Sequence, residues 1–163
     1  MRKTIIGVMG VGNFATPRDL DNAYQLGQLI AQNGWILLTG GRKAGVMEAA
    51  NKGAKIAGGL TVGILPGKDT SNLAEDVDIA IITDLGNARN NINVLSSDVV
   101  IACGMGTGTA SEIALALKNQ KKVILLNDNP ISKEFFKSLS PEKVLIARNP
   151  EQATALAKAI LQT

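Results

Sequence analysis

The chain has 163 residues, of which 45% are hydrophobic and 19% are charged, a composition typical of folded proteins rather than disordered ones. This length predicts a single domain, residues 1–163, that is large enough to bury a sizeable core. No apolar stretch is long enough to cross a membrane, and residues 1–4 do not begin a signal peptide. We therefore expect a cytoplasmic protein with no membrane partner.

The residue types present limit the chemistry available to the chain. With one cysteine and no histidine, the chain cannot form an internal disulfide and is a poor candidate for a zinc or haem site. A net charge of only +3 and an aromatic content of 3% argue against a nucleic-acid partner, since few rings can stack on bases. Any chemistry is therefore expected to use carboxylates, hydroxyls, amides and cations, without a metal.

Short apolar runs alternate with segments of helical periodicity along the chain. The apolar runs predict strands, at residues 4–9, 35–39, 60–65, 77–82, 99–103, 122–126 and 143–147. The periodic segments predict helices, at residues 17–33, 45–57, 86–96, 132–139 and from 149 onward, with a further helix after the strand at 99–103. Residues 68–75 predict a loop. This alternation predicts an α/β fold: a single Rossmann-like doubly wound parallel sheet of about seven strands with helices on both faces.

A glycine-rich turn follows the fifth predicted strand and leads directly into a helix. Its residues are Gly104, Met105, Gly106, Thr107, Gly108 and Thr109. Glycines let backbone N–H groups approach an anion closely, and the first turn of a helix adds unpaired N–H groups and a positive dipole end. The turn therefore predicts a phosphate-binding site.

The start of this helix allows two interpretations of its acidic residue. Thr109 or Ser111 is expected to cap the helix, which would place Glu112 in the first turn. There Glu112 either points at the bound ligand or only complements the helix dipole. Cys103, at the end of the preceding strand, is interpreted as a small buried apolar residue rather than a nucleophile, because no base is apparent for it.

Glycines and cations follow other strands at the same predicted edge of the sheet. These residues are Gly10, Gly12 and Asn13 after the first strand, and Gly40, Gly41, Arg42 and Lys43 after the second. Arg89, near the start of the helix at 86–96, belongs to the same edge. Because ligands of such sheets bind at the carboxyl ends of the strands, this set predicts a nucleotide or another phosphorylated small molecule as ligand. Arg42 and Lys43 are equally compatible with solvated loop charges. For Arg89 a ligand contact is favoured over a helix face in water, because its strand end neighbours the glycine-rich turn.

The turn after the first strand also matches a dinucleotide-binding motif. Residues 10–15, Gly-Val-Gly-Asn-Phe-Ala, fit the pattern G-x-G-x-x-A, which dehydrogenases follow with an acidic residue at the end of the second strand. Here the second strand ends in Thr39 and Gly40, without an acid. A nicotinamide-dependent dehydrogenase is therefore disfavoured, although a phosphate could still rest against this turn.

The glycine-rich turns together resemble those of the Lonely Guy family, once labelled lysine decarboxylases, and of its DprA-related nucleotide-binding relatives. Residues 40–47 resemble the family's GGGxxGLM turn, and residues 108–112, Gly-Thr-Ala-Ser-Glu, resemble the end of its PGGxGTxxE turn. Arg89 stands where the enzymes of the family carry an arginine. The resemblance implies a Rossmann-like nucleotide-binding domain and a homo-oligomer. For the Lonely Guy enzymes it implies hydrolysis of the N-glycosidic bond of nucleoside 5′-monophosphates, with Arg89 and Glu112 as catalytic residues.

Departures from this pattern bring the chain closer to another branch. Gly104 and Met105 stand where the second family turn has proline and glycine, and Asn90 follows Arg89 where the family has lysine. These changes resemble a branch that includes molybdenum cofactor carrier proteins. Two functions therefore stay open: a phosphoribohydrolase with no required cofactor, or a carrier that stores a phosphorylated cofactor such as molybdopterin. The alanine-rich helix at 45–57 also predicts a homo-oligomer, because small side chains permit a tight helix interface.

Overall fold

The computed structural model describes residues 2–126 and 129–162, and within them seven strands form one sheet. The strands are β1 (Ile5–Gly10), β2 (Ile36–Thr39), β3 (Thr61–Leu65), β4 (Ile79–Ile82), β5 (Val99–Cys103), β6 (Val123–Leu126) and β7 (Val144–Ile146). Their order is β4-β3-β2-β1-β5-β6-β7, and every neighbouring pair is parallel. The predicted α/β fold with a doubly wound parallel sheet is confirmed.

Helices cover both faces of this sheet. In the described part of the chain they are α1 (Pro17–Gln32), α2 (Gly45–Ile56), α3 (Arg89–Ser96), α4 (Thr107–Lys118), α5 (Pro130–Leu139) and α6 (Pro150–Leu161). A 3-10 turn at Gly86–Ala88 precedes α3. Helices α1, α2 and α6 pack on one face, and α3, α4 and α5 pack on the other. Among the described helices, none combines the length and the apolar character needed to span a bilayer.

Strand β5 shows why the core has two layers. Val99 and Ile101 pack in the layer beneath α1, α2 and α6, whereas Val100 and Ala102 pack in the layer beneath α3, α4 and α5. All five residues of β5 are buried, as expected for a parallel strand covered on both faces. Burial raises the pKa of the Cys103 thiol far above its usual value, so Cys103 is an inert core residue, in agreement with its sequence interpretation.

The segment predicted as a loop, residues 68–75, is attached to the turn after β2. The backbone N–H of Lys43 donates to the carbonyl oxygen of Asn72 at 2.8 Å, and the N–H of Ala74 donates to that of Gly41 at 2.9 Å. An antiparallel bridge between Arg42 and Leu73 lies between these two hydrogen bonds. The loop therefore supports the backbone of the turn that carries Arg42.

Helices α1 and α2 approach each other closely because glycines face the partner backbone. A Cβ on Gly27 of α1 would lie 2.1 Å from the carbonyl oxygen of Ala50, and a Cβ on Gly53 of α2 would lie 2.0 Å from that of Tyr24. The small residues of α2 thus permit packing within the chain. They do not support an interface between chains, so the predicted homo-oligomer needs another argument.

We expect Gly53→Ala to destabilise the protein. Alanine favours an isolated helix by about 1 kcal/mol over glycine, but the new methyl group would force α1 and α2 apart. Overpacking of this kind costs about 1–3 kcal/mol, and a contact with backbone cannot be relieved by a side-chain rotation, so the net change is a loss. Urea denaturation of wild type and Gly53→Ala measures this loss as a difference in the free energy of unfolding.

The matched control is Gly67→Ala, because a Cβ on Gly67 would meet no atom within 4 Å. Its unfolding free energy is expected to stay within about 0.5 kcal/mol of the wild type. A Gly53→Ala variant as stable as this control would contradict the proposed role of Gly53 in helix packing.

Candidate ligand-binding site

The switch point of the sheet lies between β1 and β5. From β1 the chain runs outward through β2, β3 and β4, and it then crosses back to place β5 on the other side of β1. The connections after β1 and β5 therefore lead to opposite faces, and a crevice opens between them at the carboxyl ends of the strands. A cleft of about 320 Å³ lies at this point.

Most of the predicted site residues line this cleft. They are Gly10, Gly12, Asn13, Gly40, Arg42, Arg89, Gly106, Thr107, Gly108, Thr109 and Glu112. The cleft thus brings together the turns after β1, β2 and β5, which lie far apart in the sequence. Gly41, Lys43, Gly104 and Met105 were also predicted as site residues, but they do not line it.

Helix α4 begins at the cleft with unpaired backbone donors. Its N-cap is Gly106, so neither Thr109 nor Ser111 is the cap, and the sequence prediction on this point was wrong. The N–H groups of the first turn have no acceptor within the helix because the chain offers none before its start. The Thr109 hydroxyl, also in this turn, is buried without a hydrogen-bond partner. This end of the cleft therefore presents several donors to an anion.

Three of the predicted residues outside the cleft, Gly41, Gly104 and Met105, have structural surroundings instead. Gly104 has φ +74° and Gly41 has φ +73°, both in the left-handed region that favours glycine. A Cβ on Gly104 would lie 2.9 Å from the carboxyl carbon of Asp19, and a Cβ on Gly41 would lie 3.0 Å from the backbone of Gly63. Met105 packs against the hydrophobic layer under α3, α4 and α5.

The two cations after β2 have different surroundings. Arg42 is half-buried and lines the cleft. Lys43 is exposed and forms an ion pair with Glu75, with 2.5 Å between Nζ and Oε1. The geometry therefore favours a ligand contact for Arg42 and a surface charge for Lys43.

Arg89, the first residue of α3, is buried at the floor of the cleft. One terminal guanidinium nitrogen donates to Asn90 Oδ1, and the other lies 3.5 Å from the carbonyl oxygen of Gly40. Its Nε is buried without a partner. Burial lowers the pKa of Arg89, and the nearby charge of Arg42 acts in the same direction. The alternative in which Arg89 faces water is therefore wrong.

Gly40 makes room for this guanidinium. A Cβ on Gly40 would lie 2.7 Å from Arg89 Nη2 and 2.8 Å from Met47 Sδ. A larger residue would therefore displace Arg89 from the cleft floor.

Glu112 lies in the second turn of α4 rather than in its first turn, because the helix already begins at Thr107. Its carboxylate is buried between α3 and α4, where Asn93 Nδ2 donates to Oε1 at 2.9 Å. The Arg89 guanidinium lies 3.9 Å from the same oxygen. Burial raises the pKa of Glu112 to about 7, against the lowering effects of Asn93 and Arg89. Glu112 is thus a partly neutralised acid at the cleft floor, not a surface complement to the helix dipole.

Several residues that line the cleft were not predicted from the sequence. Phe14, Asn87, Asn90 and Met47 are the main examples. Each was adjacent to a recognised signal: Phe14 falls within the motif at 10–15, and the two asparagines lie close to Arg89 in the chain. Phe14 is 91% exposed although it is aromatic.

The parallel sheet with a cleft at its switch point defines a Rossmann-like α/β protein. The chain belongs to the SLOG cluster4 family, whose model matches residues 3–154. This assignment confirms the resemblance to the Lonely Guy and DprA-related proteins.

Two solved structures are similar over almost the whole chain. The molybdenum cofactor binding protein of Rippkaea orientalis is 68% identical, with 99% of each chain covered and a TM-score of 0.98. The molybdenum cofactor carrier protein of Chlamydomonas reinhardtii is 52% identical, with 99% of this chain and 100% of the other covered and a TM-score of 0.95.

A cytokinin riboside 5′-monophosphate phosphoribohydrolase is a more distant relative. The Mycobacterium tuberculosis protein of this name is 36% identical over 96 residues, which are 58% of this chain. The match spans 51% of that relative's length. The resemblance to carrier proteins is therefore both closer and more complete.

We expect Glu112→Gln to change how stability depends on pH. In wild type the folded-state pKa of about 7 lies above the unfolded value of 4.5, so the folded chain loses stability as pH rises from about 4.5 to about 7. The glutamine variant cannot ionise at this position and lacks this loss. Its free energy of unfolding relative to that of wild type should therefore rise across that pH range, by at most about 3 kcal/mol.

Chemical denaturation at pH 5, 6, 7 and 8 measures the difference. Glu151→Gln, which removes an exposed carboxylate at the start of α6, controls for the change in net charge. A constant difference between Glu112→Gln and wild type from pH 5 to pH 8 would contradict the raised pKa of Glu112.

Proposed function

We propose that this protein binds and carries a phosphorylated pterin cofactor, the molybdenum cofactor, in the cleft at the switch point, as one domain and without turning it over. The observation that carries the proposal is the 68% identity to the molybdenum cofactor binding protein of Rippkaea orientalis over 99% of both chains. The carrier protein of Chlamydomonas reinhardtii supports it at 52% identity.

The chemistry of the cleft fits such a ligand. A phosphate can accept hydrogen bonds from the unpaired N–H groups at the start of α4, with the buried Thr109 hydroxyl as a further partner. Arg42 and Arg89 add positive charge, and the unpartnered Nε of Arg89 is a donor that a ligand could satisfy. The remaining volume is bounded by asparagines and by apolar residues, which suit a polar heterocycle.

A phosphoribohydrolase is the second candidate. It is favoured by the Arg89 and Glu112 side chains at the cleft floor, because glycosidic cleavage needs a carboxylate near the anomeric carbon. The named hydrolase relative supports it only at 36% identity and over 58% of the chain. We therefore prefer the carrier, which was the alternative that the sequence left open.

We retain the homo-oligomer and the cytoplasm as expectations of this proposal. The packing of α2 against α1 removes the original argument for an oligomer. Other support comes from the edge strand β4, whose Ile79, Ile81 and Ile82 are all more than 40% exposed, a cluster that association would bury.

Gly106→Val is expected to abolish binding of a pterin monophosphate without unfolding the protein. Gly106 has φ −152°, an extended conformation that valine adopts readily, and its Cβ would meet Val11 Cγ2 at 3.6 Å, an ordinary contact. The branched side chain would, however, cover the N–H groups at the start of α4. Calorimetric titration gives the affinity, and thermal melting followed by circular dichroism verifies the fold.

Gly67→Val is the control for the added side chain, because a Cβ at that position meets nothing within 4 Å. It is expected to bind like the wild type. A folded Gly106→Val variant with wild-type affinity would exclude the start of α4 as the phosphate site.

The carrier and the hydrolase differ in turnover. For a carrier, we expect wild type to release no adenine from AMP above the uncatalysed rate. We also expect Arg89→Ala to weaken binding of a pterin monophosphate about 10- to 100-fold, because a charge-assisted hydrogen bond to the ligand is lost. Arg148→Ala, which removes an exposed cation outside the cleft, should leave the affinity unchanged.

Adenine release by wild type, Arg89→Ala and Glu112→Gln is measured together with these affinities. Release by wild type that disappears in Glu112→Gln while AMP binding persists would establish the hydrolase instead, because that pattern marks an interaction made only in the transition state.

A further inference from the structure

We infer that Phe14 is the residue on which the ring system of the ligand stacks, and that it gives the cleft its preference for a fused heterocycle over a simple sugar phosphate. This inference rests on the proposed function, because it assigns a role within the same cleft. It starts from the exposure of Phe14, whose side chain is 91% accessible although it is aromatic.

Three other aromatic side chains, Trp35, Phe135 and Phe136, have packing partners. Trp35 packs against the core layer beneath α1, α2 and α6, and Phe136 is buried. Phe135 meets the Phe136 ring edge to face, with 5.1 Å between centroids. Among the described residues, Phe14 shows no such ring contact, and it borders the cleft. A ring kept in water at the rim of a ligand site is available for a planar ligand.

Phe14 is not needed to start the helix that follows it. Thr16 caps α1 through a capping box with Asp19, so the helix start is already satisfied by hydrogen bonds. Ala15, the residue before the cap, supplies the apolar contact with the core. The exposed ring therefore has no evident part in folding the turn.

The backbone that carries Phe14 is held in place on both sides of the cleft. The N–H of Val46, in α2, donates to the carbonyl oxygen of Val11 at 2.9 Å. The Val11 side chain lies 3.6 Å from the place of a Cβ on Gly106, so the turn directly adjoins the start of α4. The N–H of Ala15 donates to the carbonyl oxygen of Gly12 at 3.2 Å, which closes a turn with Phe14 near its tip.

The charged side chains that line the cleft come from elements other than the turn that carries Phe14. Among the described lining residues, the charged ones are Arg42, Arg89 and Glu112, and the anion donors lie at the start of α4. Asn13, next to Phe14, is a neutral amide with both donors and an acceptor. A phosphate held at α4 would therefore place an attached heterocycle within reach of an aromatic face and an amide, as in other sites that stack bases.

Four probes separate ring recognition from phosphate recognition: a pterin monophosphate, AMP, ribose 5-phosphate and inorganic phosphate. We expect Phe14→Ala to weaken binding of the first two about tenfold or more and to leave the last two within twofold of wild type. Phe14→Tyr should retain wild-type affinity for all four. Bound pterin should also show reduced absorbance in its ring band with wild type and Phe14→Tyr, but not with Phe14→Ala.

Phe135→Ala removes a half-exposed ring from α5, outside the cleft, and is expected to change none of the affinities. Equal weakening of all four probes by Phe14→Ala would overturn the inference, since Phe14 would then only shape the turn. No weakening of any probe would overturn it as well, and so would a wild type that binds ribose 5-phosphate as tightly as AMP and the pterin.

Failure of the proposed function has a separate signature. A wild type that binds AMP but not the pterin monophosphate would overturn the carrier proposal, while ring selectivity lost in Phe14→Ala would still uphold the role of Phe14. A wild type that binds none of the four probes would overturn both.

Discussion

The ends of β1 and β5 approach each other so closely at Gly10 that no side chain fits between them. A Cβ on Gly10 would lie 2.4 Å from the carbonyl oxygen of Cys103 and 2.4 Å from Val46 Cγ1. Two strands and the start of α2 therefore meet at a residue without a side chain. This contact brings the turn after β1 beside the turn after β5, and it determines where the cleft lies. The anion donors of α4 and the rim at Phe14 face the same volume because of it.

The floor of the cleft holds two opposite charges that are not in direct contact. The distance of 3.9 Å between Arg89 Nη1 and Glu112 Oε1 is at the outer limit of an ion pair. Burial raises the pKa of the Glu112 carboxyl group and lowers the pKa of the Arg89 guanidinium. Neutral amides supply the closer hydrogen bonds, from Asn93 to the carboxylate and from Arg89 to Asn90. Arg89 is thus positioned by amides and by the space at Gly40 while its charge stays only partly compensated. An anionic ligand would complete that compensation.

The strands could be predicted because their signal is local. Five consecutive apolar residues in β5 are sufficient to indicate a strand buried on both faces, and the glycines after it indicate an anion site. The start of α4 could not be placed, because a glycine N-cap leaves no side-chain signal and Thr109 has the residue type that usually caps a helix. The engagement of Lys43 by Glu75 could not be predicted either, since 32 residues separate the two in the chain.

The roles of Arg89 and Phe14 depended on information that a sequence pattern does not contain. The helical pattern of α3 is polar on most faces, so it did not reveal that the cleft floor buries Arg89. Phe14 has the opposite character, because an aromatic residue next to a helix start would ordinarily be assigned to packing. In the structure Ala15 and Thr16 complete the helix start without it, and the Phe14 ring is exposed.

The protonation of Glu112 bears on which of the two functions the cleft suits. A phosphate bound at α4 places negative charge in the same cleft, and a nearby like charge raises the pKa of a carboxyl group. Since burial already raises that pKa to about 7, ligand binding would leave Glu112 mostly protonated at neutral pH. A protonated carboxyl can donate a hydrogen bond to a bound cofactor, and in glycosidic cleavage it can serve as the general acid, but stabilising the positive charge on the ribose ring takes an ionised carboxylate. Glu112 is the one carboxylate among the described residues that line the cleft, so its protonation leaves no second, ionised carboxylate for such cleavage, and a hydrogen bond from Glu112 to a retained anionic ligand fits the cleft better.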